Sequence, residues 1–67
     1  MDEQALTAAI GRFVKSVGFS AQRELEKALR GALASGKVQR GETFTTAVTL
    51  SSDKVDLDIT IFSKIEL

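Results

Sequence analysis

A chain of 67 residues with nine acidic and nine basic side chains has the length of one small domain, and no net charge to draw it onto nucleic acid or an anionic membrane. It contains no Cys and no His, which removes disulfides, thiolate metal sites, the commonest metal ligand and the commonest general base together. Trp, Tyr and Pro are absent too, no apolar run approaches a membrane span, and the acidic start MDEQ lacks the basic region of a signal peptide, so a cytoplasmic protein is expected.

The first predicted element is an amphipathic helix over residues 3–17. Asp2 is a suitable N-cap, Glu3 complements the positive end of the helix dipole, and Ala5, Leu6, Ala9, Ile10, Phe13, Val14 and Val17 share one face. Gly18 is read as its end. A second helix is predicted over 20–35, with Ser20 as N-cap and Gly36 as the left-handed terminator. Arg23 occupies the position where a capping box would place a glutamate. Its apolar face is Ala21, Leu25, Ala28, Leu29, Ala32 and Leu33. The short link at Gly18-Phe19 makes the two helices neighbours in an αα-hairpin or a helix-turn-helix corner.

After a polar connection over 36–41 the apolar period changes to two. A strand is predicted at 43–51, with Phe44, Thr46, Val48 and Leu50 on one face. Ser51-Ser52-Asp53-Lys54 reads as a turn. A second strand is predicted at 55–66, with Val55, Leu57, Ile59, Ile61, Ile65 and the following Leu67 inward and Ser63 interrupting. The expected fold is therefore α+β: two antiparallel helices packed on a C-terminal antiparallel β-hairpin, in the order α-α-β-β. Its core would hold Leu6, Ile10, Phe13, Val14, Val17, Leu25, Leu29 and Leu33 from the helices. From the strands it would take Phe44, Val48, Leu50, Leu57, Ile59, Ile61 and Ile65.

The segments KSVGFSAQRELEKALRGALASGK and VDLDITIFSKIEL, behind the acidic N-terminus, resemble a small family of uncharacterised bacterial proteins of about this length. The resemblance covers nearly the whole chain. It implies a compact bacterial domain and brings no catalytic or ligand signature with it.

The residues themselves argue against chemistry. Glu24 and Glu26 point about 200° apart on a helix and cannot act together. Asp56 and Asp58 share a half-exposed strand, where little would raise a pKa. Asp53, Asp56 and Asp58 lack the spacing, turn glycine and distal glutamate of a calcium loop. Neither cofactor nor metal is expected, and no enzyme activity.

What remains is interaction. Phe62 falls on the polar face of the second strand, and that strand could run past its partner to the last residue, leaving an unpaired edge. Phe62, Lys64 and Glu66 are thus candidates for self-association as a homodimer, with an unidentified protein as the other partner. A bulge near Ser63 would instead turn Phe62 inward. The alternative is nucleic-acid binding by Arg23, Lys27 and Arg30 on the helix 20–35, in a degenerate winged-helix arrangement. Against it stand Glu24 and Glu26 beside those cations, an acidic hairpin where a wing would be basic, and no third helix. Residues 1–40 carry seven basic and four acidic side chains, residues 41–67 two and five, so the halves hold +3 and −3.

Overall fold

The computed structural model describes residues 2–67. It contains one long helix, α1 (Glu3–Ser35), followed by two strands, β1 (Thr43–Ser52) and β2 (Leu57–Glu66). The chain divides into two units, Met1–Lys37 and Val38–Leu67.

The expected pair of helices is a single helix of 33 residues, about 50 Å long at 1.5 Å per residue. Val17, Gly18, Phe19 and Ser20 are all helical, so neither the αα-hairpin nor the helix-turn-helix corner exists, and Ser20 caps nothing. The magnitudes explain why. An interior glycine costs up to about 1 kcal/mol relative to Ala. Breaking the helix there would require a second nucleation, on the order of 4 kcal/mol for a nucleation constant of ~10⁻³. It would also open four N–H and four C=O groups to be satisfied elsewhere. Ser20 without a capping-box partner returns only about 1 kcal/mol of that. With no proline in the chain, nothing forces the break.

The true ends are well made. Asp2 has extended backbone, and its Oδ1 accepts from the Ala5 N–H at 2.6 Å. Gly36 adopts φ 80°, where the Lys37 N–H donates to the Ala32 carbonyl at 2.9 Å and the Gly36 N–H to the Leu33 carbonyl at 3.3 Å. That double bond pattern is the Schellman motif, and it needs a residue free to enter the left-handed region.

The hairpin pairs in one continuous antiparallel register, from Thr43 opposite Glu66 to Ser52 opposite Leu57. No residue bulges out of it, so Phe62 is not turned inward. Nor does β2 overhang its partner. The Leu67 N–H donates to the Glu42 carbonyl at 2.9 Å and the Gly41 N–H to the Leu67 carbonyl at 2.8 Å, so both strands continue together. The turn lies two residues later than expected, at Asp53–Asp56. Asp56 takes φ 51°, which a short polar side chain tolerates. Val55, expected on the inner face of the strand, sits in this turn and is 67% exposed.

The predicted core is the largest correction. Among the described residues none is buried. Leu6, Ile10, Phe13, Val14, Leu25 and Leu33 are exposed on α1, as are Val48, Ile59 and Ile61 on the hairpin. The expected helix face had a second helix to pack against, and one continuous helix does not supply it.

Two glycine substitutions test the continuous helix. In dilute solution Gly18→Ala raises helix stability by about 0.5–1 kcal/mol, because Gly18 has ordinary helical backbone and an added Cβ meets nothing within 4 Å. Gly36→Ala lowers it by about 1 kcal/mol, since it strains a left-handed position. Thermal melts followed at 222 nm read both; a loss of stability in Gly18→Ala would restore the break.

Candidate interaction surfaces

Continuity through Gly18 joins two predicted stripes into one surface. Residues four apart lie along one inclined ridge of a helix. On α1 the ridge Ala5, Ala9, Phe13, Val17, Ala21, Leu25, Leu29, Leu33 is apolar without interruption. Leu6, Ile10, Val14 and Gly18 form a second apolar ridge beside its N-terminal half. Each four-residue step advances about 40° around the helix, so the stripe winds slowly along the cylinder. Val17, Ala21 and Leu29 are half-buried by their neighbours; Ile10 and Phe13 remain 55% and 57% exposed. The ridge exists only because Gly18 is helical, since it joins residues on both sides of that position.

The hairpin has two unlike faces. On one, Phe44 faces Ile65, Val48 faces Ile61 and Leu50 faces Ile59 across the strands. Thr46 opposite Ser63 interrupts this apolar face with a polar pair, so Ser63 is matched across the sheet. On the other face every pair but Ala47 with Phe62 is polar, and the Thr49 and Thr60 hydroxyls share a hydrogen bond at 3.2 Å.

Phe62, Lys64 and Glu66 project from that polar face. They stand opposite Ala47, Thr45 and Thr43 respectively, so the structure brings the three together. Phe62 is 69% exposed, the most exposed of the large apolar side chains among the described residues. Ala47 is too small to cover an aromatic ring, a pairing that only the register reveals. The sheet has two strands, so among the described residues the outer edge of each has no strand partner.

Arg23, Lys27 and Arg30 lie on the side of α1 away from the ridge and, with Glu26, line a shallow depression. The Arg30 Nη2 donates to the Glu26 Oε1 at 3.1 Å, an exposed ion pair four residues apart. Such a pair is worth about 0.3–0.5 kcal/mol and is screened by salt. It engages one of the three cations. Asp53, Asp56 and Asp58 do not converge, and among the described residues no group of three or more acidic side chains is placed to hold a metal ion. No helix among them is long and apolar enough to cross a membrane.

No curated protein and no solved structure matches the chain significantly. One family model does, over residues 1–67, and by that match the chain belongs to DUF6494, a family of unknown function.

Proposed function

We propose that this chain is a cytoplasmic protein-interaction domain that works by binding and not by catalysis. The observation that supports this reading is the exposure of large apolar side chains on α1 and on the hairpin, with none buried among the described residues. Apolar surface is stabilised by about 25 cal/mol for each Å² removed from water, and a partner protein is the natural cover. The absence of His and Cys accords with a role without nucleophilic or general-base chemistry.

On the hairpin, the contact surface is the Phe62 face and outer edge of β2, with Lys64 and Glu66 at its rim. An exposed aromatic ring on a paired strand, ringed by Thr and charged groups, is the form of an interface anchor. A second copy could add its own β2 there and extend the sheet to four strands across a two-fold axis.

Sedimentation equilibrium over a wide concentration range tests the reading. The wild-type chain is expected to associate, and Phe62→Lys to weaken association tenfold or more through this face while leaving the far-ultraviolet circular dichroism of the monomer unchanged. Equal association in the variant would remove Phe62 from the interface. Binding to mixed-sequence duplex DNA is expected to be absent at low ionic strength. Salt-sensitive binding abolished by Arg23→Glu with Arg30→Glu would overturn the protein-interaction reading in favour of nucleic acid.

A further inference from the structure

Phe19 is the most exposed large apolar side chain on α1, at 61%. Four-residue steps place it on the ridge Lys15, Phe19, Arg23, Lys27. At about 100° per residue it stands about 160° round the helix from Val17 and Ala21, so whatever covers the apolar ridge leaves Phe19 uncovered. Arg12 and Arg30 lie within about 20° of its direction on the same side. An aromatic ring therefore sits in the middle of the cationic side of a helix.

The charge on that side is not the balanced charge of the whole chain. From Gln4 to Arg23 the helix carries Arg12, Lys15 and Arg23 and no acidic residue. Glu24 falls about 140° away from Phe19. Glu26 shares the face but is paired with Arg30 at 3.1 Å, the one ion pair among the described residues. Arg12, Lys15 and Arg23 thus stand unpaired around Phe19, along about 17 Å of helix at 1.5 Å per residue.

We propose that this side of α1 docks an acidic segment of a partner protein. An aliphatic side chain of that segment covers the Phe19 ring, and carboxylates on either side of it meet Lys15, Arg23 and Arg12. The surface is separate from the Phe62 face and rests on the protein-interaction reading, to which it adds the chemistry of a partner.

Charge complementarity selects an acidic partner, since unpaired cations steer and orient the opposite charge. The ring selects a protein. An aromatic anchor beside Arg side chains is what protein interfaces enrich. A single-stranded nucleic acid wants successive aromatic platforms along a groove, and a convex helix with one ring offers neither. Three unpaired cations also release few counterions from a phosphate backbone, and Glu26 stands among them. A membrane surface would take the opposite, apolar ridge and leave Phe19 facing water.

The probe is a fluorescently labelled peptide with one leucine flanked by glutamates, titrated with the full chain at low ionic strength and read by anisotropy. It is expected to bind, and to bind more weakly as salt is raised. Phe19→Ala is expected to lower the affinity tenfold or more, as is Lys15→Glu with Arg23→Glu. Ala is a better helix former than Phe, so Phe19→Ala retains its helicity by circular dichroism and the loss reports the surface. Exchanging the leucine of the probe for alanine is expected to cause the same loss in the wild type and little further loss in Phe19→Ala. Equal binding of the two probes, unchanged affinity in Phe19→Ala, or no binding by the wild type would each overturn the proposal.

An oligothymidylate of equal charge that binds more tightly than the peptide would assign the surface to nucleic acid and overturn both readings. Sedimentation separates the remaining failures. Self-association weakened by Phe62→Lys, with no peptide bound, removes the acidic partner and leaves the interaction reading in place.

Discussion

Everything in the helical unit depends on the backbone hydrogen bonds that run unbroken past Gly18. Each residue carried through the middle of the helix gains one such bond for one residue ordered, whereas stopping and restarting orders several residues for a single bond and demands two new caps. The sequence supplies one good cap at each end, Asp2 and Gly36, and only the isolated Ser20 between them. Two predicted faces become one winding ridge for that reason. Had residue 18 or 19 been proline, the balance would tip the other way, because the lost bond and ring clash cost about 3 kcal/mol or more.

Within the helical unit no second helix covers the apolar stripe. A helix hides its apolar stripe only against another element, and the two halves of one continuous helix cannot face each other. Packing against a second element, more than intrinsic propensity, stabilises most helices in proteins. α1 compensates in part by length, well past the roughly 12–15 residues at which isolated helices become marginal. The hairpin has no such reserve, since a two-stranded sheet alone is marginal in water. Its stability rests on cross-strand pairs such as Phe44 with Ile65 and Val48 with Ile61, each worth less than about 1 kcal/mol.

What was legible in the sequence was local. Asp2, Gly36 and the alternation from Phe44 to Leu50 each act within a few residues, and each stands where its chemistry implies. The turn was displaced by two positions because Ser51 and Ser52 have turn chemistry but also pair with Asp58 and Leu57, and the ladder bonds prevail. At Gly18 the residue types point the wrong way, because a glycine with a serine two places on is the mark of one helix ending and another beginning. Only the free-energy comparison, not the residue types, decides between the two. On the candidate surfaces, the exposure of Phe62 was legible from strand alternation. Its lack of cover was not, since that depends on which residue the register sets opposite, and Ala47 is among the smallest available.

The two strands differ in one respect that bears on handling the protein. β2 carries Asp58, Lys64 and Glu66, whereas the ten residues of β1, TFTTAVTLSS, include no charge, no proline and no glycine. Charges, proline and bulges are how natural sheets deter edge-to-edge stacking, and short uncharged segments of high β-propensity are the ones that assemble into fibrils. β1 is therefore the aggregation-prone segment of this chain, and its outer edge is the place where a single lysine would do most to keep concentrated stocks clear.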